Sequence, residues 1–499
     1  MSVRPLVVPG RPSATGLTWW VLADGPQPGL ELLPHGGAGP DIVRHDLRRP
    51  GDGLDSVGVY AVATRGLSAD TPYQLRVRDQ LGRREAARSR TLPAPLTPPF
   101  SFTVAVASCY SSHTDRLEIG RSYPPGLHRS SAPNADPVRL RFLLGDQLYM
   151  DLEPFGEFTS PRPDRPDPVP RYLSEWQHVK FAPFLRQTPN LTLADDHELW
   201  NDYPHGFPQP QIAWAWTAGG PDGDLARRCR RGFRLFQAAL NLAPEEIRDD
   251  ANAMDAALER AALSPRLDLG PVSFFCLDSR LDRRLWSADA PCQAIHPDAL
   301  RRCRDWFADG DGVAVLLVGP AFSDAPKGLP MVLFDKNLSN YADDYRSLAE
   351  AVFGALSHRH VIVIGGDIHR SRAAVIERQP PDSHSLYEIV SSPLALIRPP
   401  PDVEDVLPPP SQPDAGEEKL PHLFGATRRV LDADSGTGQE RVAATVAQQV
   451  YTTVTFESSG VELTSPIDVV VRAWTPPSRS DTTAPVLLYQ TTLRLRSRP

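Results

Sequence analysis

Six short, almost unbroken apolar runs constrain this chain more than any other feature. They are SFTVAVAS (101–108), RLRFLLGD (139–146), NLTLADD (190–196), VSFFCLDSR (272–280), VAVLLVGP (313–320) and HVIVIGGD (360–367). Runs of this length with little polar alternation read as strands covered on both faces, and such strands belong to layered α/β proteins. Helical patterns lie between them, among them DLARRCRRGFRLFQAAL (224–240) and YRSLAEAVFGAL (345–356). Several runs finish in a polar cluster: Ser108-Cys109, Gly145-Asp146, Asp195-Asp196 and Gly366-Asp367. Ligands of α/β sheets gather at the carboxyl ends of strands, where the loops converge on one crevice. A functional site is therefore expected at those four strand ends.

Outside this region the grammar differs. The first hundred residues carry GLTWWVLA, GVYAVATRGL and TPYQLRVRD between Gly, Pro and Asp turn signals, with no sustained helical period. The alternation of Tyr73, Leu75 and Val77 suits the late hairpin of a small β-sandwich. TLPAPLTPPF (91–100) breaks the chain with four prolines. The expected organisation is an immunoglobulin- or fibronectin-like sandwich over 1–98, an α/β core over 99–397, a Pro- and charge-rich linker or insertion over 398–440, and C-terminal strands over 441–499 that complete the core. TSPRPDRPDPVPR (159–171) reads as a further insertion or linker. YTTVTFES, GVELTS, IDVVVRAW and VLLYQTTLRLR are the expected C-terminal strands.

Composition narrows the function classes. At 499 residues the chain exceeds one ordinary core, and 41% hydrophobic with 23% charged residues describes a globular protein. A net charge of −8 argues against wrapping nucleic acid, which needs a basic face. It leaves room for an anionic substrate, because bound metal ions supply positive charge locally. No apolar run reaches the roughly 18 residues of a membrane span. The five cysteines are few and scattered, which is not a disulfide framework. MSVRPLVVPG shows neither an apolar export core nor twin arginines, so the expected location is cytoplasmic.

Three clusters and one cysteine carry the chemistry. GDQLYMD (145–151) places a carboxylate directly after a strand and a phenol three residues on. A phenolate suits a hard trivalent ion such as Fe³⁺; the plainer reading of the aspartate is a helix cap. ADDHELWND (194–202) crowds four acids, a His and an Asn behind a buried strand. That crowding is costly unless a cation or hydrogen bonds offset it, and an exposed acidic helix start is the competing reading. In HVIVIGGDIHRS, Asp367 and His369 stand two apart after a two-glycine turn and share a side if the chain stays extended. Cys109 stands at the same kind of strand end, where a thiolate could bind metal. Cys229, Cys276, Cys292 and Cys303 read as small hydrophobes. Neither a GxSxG elbow, a P-loop nor a GxGxxG fingerprint is present.

In this order VASCY, LLGDQLYMD, ADDHELWND, FFCLDSR, VIGGDIHRS and EIVSSPLA, spread from Phe102 to Pro393, resemble the alkaline phosphatase D (PhoD-like) family of metallophosphatases. The resemblance implies a layered β-sandwich metallophosphatase core flanked by helices, behind a small all-β sandwich domain. It also implies hydrolysis of phosphodiesters or phosphomonoesters by metal-bound hydroxide. Carried over by motif, Cys109, Asp146, Tyr149 and His369 would hold Fe³⁺, while Asp146, Asn201 and Asp367 would face neighbouring Ca²⁺, two or three ions in total. Asp196, His197 and Arg280 are the candidate catalytic groups. His197 would stabilise the transition state, protonate the leaving group, or orient a ligand; Asp278 and Arg280 would brace the site or form a strand-end salt bridge. The implied partner is a small-molecule, lipid or nucleotide phosphate ester.

Departures from the family pattern fall at Asp202, which follows Asn201 where many members have a second asparagine, and at Ala342 in NYADDYRS, where a tryptophan is usual. VLLVGPAFSDAP (316–326) lacks the family's glutamines. These changes are expected to reshape the substrate pocket and spare the metal chemistry. The alternatives are a purple-acid-type two-metal phosphodiesterase, which a cysteine ligand would separate from the favoured reading, and a non-catalytic metal-binding module.

Overall fold

The computed structural model describes residues 3–33, 40–54, 56–112, 115, 138–150, 168–200, 203–204, 223–284, 292–326, 337–368, 371–392, 394–395, 417–431, 450–460, 462, 465–475 and 486–495. Among the described residues, seven strands precede the Pro-rich break: β1 (Leu6–Pro12), β2 (Gly16–Asp24), β3 (Gly29–Leu33), β4 (Asp41–Asp46), β5 (Val57–Arg65), β6 (Pro72–Arg78) and β7 (Arg84–Arg90). They form two antiparallel sheets, β1-β2-β5-β4 and β3-β6-β7. Period-2 alternation explains the join: Leu17, Trp19 and Val21 of β2 meet Tyr73, Leu75 and Val77 of β6 inside this sandwich.

The opposite face of β2 is buried too. Trp20 and Leu22 pack on the helices of the next unit. Trp20 Nε1 donates to Leu235 O at 2.8 Å and Thr18 Oγ1 to Leu242 O at 2.7 Å. With both faces covered, GLTWWVLA has no polar side to present. Truncating Trp20 to alanine would cost about 3–5 kcal/mol at this join.

Every one of the six apolar runs contains a strand: β8 (Phe100–Ala107), β9 (Val138–Leu144), β10 (Asn190–Leu193), β12 (Val272–Leu277), β13 (Val313–Val318) and β14 (His360–Gly365), with short β11 (Arg266–Asp268) beside β12. They divide between two sheets. One has the order β10-β9-β8-β19-β20-β21, where β19 (Tyr451–Ser458), β20 (Ile467–Thr475) and β21 (Val486–Leu495) come from the C-terminal segment. The other has the order β11-β12-β13-β14-β16-β15-β18-β17, with β15 (Arg372–Glu377), β16 (Leu386–Val390), β17 (Glu417–Leu420) and β18 (Ala426–Val430).

Strands β8, β9 and β10 are mutually parallel, as are β12, β13, β14 and β16. Val104, Phe142 and Leu191 from one sheet and Phe274, Val315 and Ile362 from the other fill the space between them. Helices α5 (Pro297–Ala308) and α6 (Ala342–Ala355) cover the second sheet through Trp306, Phe307, Leu348 and Phe353. On the first sheet's side lie α1 (Pro168–Trp176), α2 (Phe181–Arg186), α3 (Asp224–Phe236) and α4 (Ala251–Leu263). The chain is thus a mixed α/β protein of layered sheets flanked by helices behind an antiparallel β-sandwich.

Three stretches differ from their reading in the sequence. Of the expected insertion 159–171, residues from Pro168 onward open α1, since proline is favoured in a first helical turn, where its missing N–H costs nothing. Within 398–440, strands β17 and β18 pair with each other and β18 extends the second sheet through β15. GVELTS is, at its described residues, the turn joining β19 to β20: Ser465 N donates to Glu462 O at 2.9 Å.

Candidate metal centre

Because the two sets of parallel strands end at one edge of the sandwich, their following residues converge. Cys109 Sγ donates to Asp146 Oδ2 at 3.3 Å and lies 4.0 Å from Asp367 O. All three residues sit in the left-handed backbone region, at φ of 57° for Cys109, 56° for Asp146 and 64° for Asp367. Such conformations cost non-glycine residues roughly 1–3 kcal/mol each, persist only where the surroundings impose them, and cluster at functional sites.

Here the surroundings are visible. Cys109 N donates to Gly145 O and Tyr110 N to Asp146 O, at 3.2 and 2.9 Å, while Asp367 N donates to Ser108 Oγ at 3.3 Å. Gly145 must be glycine: at φ 87° a Cβ would stand 2.3 Å from the Cβ of Asp195. Ser392, from the EIVSSPLA motif, donates its hydroxyl to Cys109 Sγ at 3.2 Å.

After β10, Asp196–Glu198 form a 3-10 turn that is entirely buried. Ligand atoms of Asp146, Asp196 and His197 lie within 4.8 Å of one another, as do those of Asp195, Asp196 and Asp367. Asp196 belongs to both groups. His197 N donates to Asp146 Oδ1 at 3.3 Å, and its ring lies 4.2 Å, centroid to centroid, from that of Tyr149. Arg280 Nε donates to Asp195 Oδ1 at 2.6 Å, and Arg280 Nη1 to Tyr203 O at 3.0 Å.

Electrostatically the cluster is under-compensated. Burial, then the neighbouring carboxylates, pushes Asp146 well above the ordinary carboxylate range, with His197 opposing. Burial lifts Asp195 to about 7 even though Arg280 pulls it down. Burial and the charges of Asp146 and Asp367 raise the Cys109 thiol, and burial with Asp146, Cys109 and Asp196 raises the Tyr149 phenol. Among the described residues, both carboxylate oxygens of Asp367, Oδ2 of Asp195 and the Tyr149 hydroxyl are buried with no hydrogen-bond partner. Leaving several buried acceptors unmatched is expensive, and a cation reverses that cost. The donor set of carboxylates, imidazole, thiol and phenol therefore fits metal ions.

Placement of the expected residues is as follows. Cys109, Asp146, Tyr149, Asp196, His197 and Asp367 converge on one buried region, and Arg280 reaches it through Asp195. Asn201 and His369 lie outside the described residues. The Asp278 carboxylate does not pair with the Arg280 guanidinium; its Oδ2 accepts the backbone N–H of Arg280 and Leu281 at 3.3 and 3.0 Å. In the sequence Asp195 is marked only as part of the Asp195-Asp196 strand end, and Glu198 and Ser392 only as members of ADDHELWND and EIVSSPLA, none with a role of its own. Crowding in ADDHELWND marked the two acids as a group, and only the turn geometry separates their roles.

Among solved structures, the chain is similar to one described as the structure of PhoD, with a TM-score of 0.60 at 14% identity over 100% of this chain and 92% of that one. It is also similar to a purple acid phosphatase isolated from yellow lupin (Lupinus luteus) seeds, with a TM-score of 0.53 at 11% identity over 98% of this chain and 74% of the other. The expected likeness to alkaline phosphatase D thus holds at the level of fold. No family model and no curated protein matches the sequence.

Proposed function

We propose that the protein hydrolyses phosphate esters, diesters or monoesters, at a multinuclear metal centre built on these strand ends. The observation that carries the proposal is the pair of buried ligand groups sharing Asp196, in a cluster whose carboxylates lack enough positive charge of their own. Similarity of fold to PhoD and to a purple acid phosphatase supports the same reading. Cys109 among the ligands favours the PhoD-like option over the purple-acid type.

Asp146 and Tyr149, with Cys109 and His369, are assigned to Fe³⁺, for which phenolate and thiolate are strong donors. Asp367, Asn201, Asp195 and Asp196 are the oxygen donors assigned to divalent ions, Ca²⁺ by family resemblance. Metal ions in such a site neutralise the non-bridging phosphate oxygens and activate water. The protein's own contribution is placement. Asp196 ties the two groups together, and the Arg280 guanidinium fixes the orientation of the Asp195 carboxylate, while the buried floor excludes bulk water. His197, whose backbone N–H donates to Asp146 and whose ring lies beside Tyr149, is assigned to meet the developing charge or the leaving oxygen.

A screen of aryl phosphodiesters and monoesters, with metal analysis of the purified protein, tests the proposal. Turnover by iron-containing protein is expected; metal-replete protein inert on every ester would refute it.

A further inference from the structure

We propose that Glu198 is a positioning residue that sets the spacing between the two ligand groups; this rests on the metal reading above. Glu198 is fully buried, yet it belongs to neither group. Its carboxylate is occupied otherwise. Oε2 accepts the backbone N–H of Asp146 and of Asp195, both at 2.9 Å. Oε1 accepts the N–H of Gln147 at 2.7 Å and Gln237 Nε2 at 3.1 Å.

With two donors on each oxygen, the group is poorly placed to bind an ion or move a proton. It does something else. Asp146 follows β9 and belongs to the first group, whereas Asp195 follows β10 and belongs to the second. One carboxylate thereby pins a backbone N–H from each group to the same oxygen. The pinned Asp146 is also one of the residues at positive φ, a conformation that needs such a clamp. Gln237, at the end of α3, anchors the clamp to the helical layer.

Substituting glutamine at 198 keeps the shape but replaces one acceptor with an NH₂ donor, which must then face backbone N–H groups. The loops after β9 and β10 would separate, and both groups would loosen together. A purely structural carboxylate would, on loss, lower the melting temperature while leaving ion binding by the folded protein unchanged.

The test is a Mn²⁺ titration of the metal-free full chain by calorimetry, with electron paramagnetic resonance reporting the magnetic coupling between bound ions. For folded Glu198→Gln, Mn²⁺ affinity should fall about tenfold or more and the coupling should weaken. Gln237→Leu removes only the donor that anchors Glu198 and should give a smaller loss, a few fold, in the same direction. If Glu198→Gln does not fold, Gln237→Leu decides by the same criteria. Folded variants with wild-type affinity and coupling overturn the proposal. Wild-type protein that takes up no Mn²⁺ fails earlier and tells against the metal reading itself.

Discussion

Two buried acidic clusters sit in the same α/β unit, and they are solved in opposite ways. At Glu388 and Asp324 the carboxylates are matched by arginines. Arg372 Nη2 lies 2.8 Å from Glu388 Oε2 and 2.7 Å from Asp324 Oδ1, and Arg428 Nη1 lies 2.9 Å from Asp324 Oδ1. Ser323 adds its N–H and hydroxyl to Glu388 at 2.8 and 2.6 Å. Burial opposes ionisation of Asp324, but the two arginines more than offset it and bring Asp324 down to about 2. Glu388 is lowered in the same way.

At the strand ends, Asp146, Asp195, Asp196, Glu198 and Asp367 crowd around Arg280 and His197, and burial raises Asp146 and Asp195 instead. A chain able to match buried acids with arginine in one place has left them under-matched in another. The first cluster holds strands β15, β16 and β18 together. The second leaves buried carboxylates that could hold cations, as the proposed function requires.

The sharpest way to break this contrast is to remove one charge from each cluster. Asp146→Asn keeps a residue that tolerates positive φ and removes a ligand charge. If that carboxylate serves several kcal/mol of transition-state stabilisation, phosphodiester turnover falls by roughly a thousandfold. The metal-free variant should melt no lower than metal-free wild type, because an uncompensated buried charge has gone. Retained turnover, or a metal-free protein that is strongly destabilised, would show that Asp146 belongs with the matched acids.

Glu388→Gln should do the reverse. Breaking a buried, matched pair costs about 3–5 kcal/mol in denaturant unfolding, while turnover per folded molecule changes far less than in Asp146→Asn. A neutral effect on stability would remove the distinction.

The contrast also predicts a pH dependence of metal-free protein. Asp195 ionises near its ordinary 3.8 when unfolded but only at about 7 when folded, so the unfolded state holds fewer protons between those values. Its contribution makes stability fall as pH rises from about 4 to about 7, with Asp146 acting in the same direction. Asp324, lowered to about 2, contributes stability that is present above its ordinary 3.8 and lost as pH falls toward 2. Unfolding of chelator-treated protein across this range should show the decline toward neutral pH, and bound cations should abolish it. Stability that stays flat or rises from 4 to 7 without metal contradicts the assignment.

Much of this was legible in the sequence because continuous apolar runs report two-sided burial directly, and all six became strands at close to their expected bounds. Ligand candidates at strand ends were legible for the same reason: Cys109, Asp146 and Asp367 each follow such a run within a few residues. Division of labour among adjacent acids was not. Asp195, Asp196 and Glu198 share one short segment, and only the 3-10 turn sends one to Arg280, one to both ligand groups and one to backbone N–H groups. Nor does composition reveal that Arg428, in a stretch rich in proline and charge, completes a buried ion-pair network across the second sheet. Such long-range partners leave no local period to read.

Hydrolysis of an aryl phosphodiester, followed as bound metal is stripped by chelator and then restored, tests the central claim most directly. The account predicts that turnover falls in step with metal content and returns when iron and a divalent ion are added back. Activity that survives complete removal of metal would contradict it.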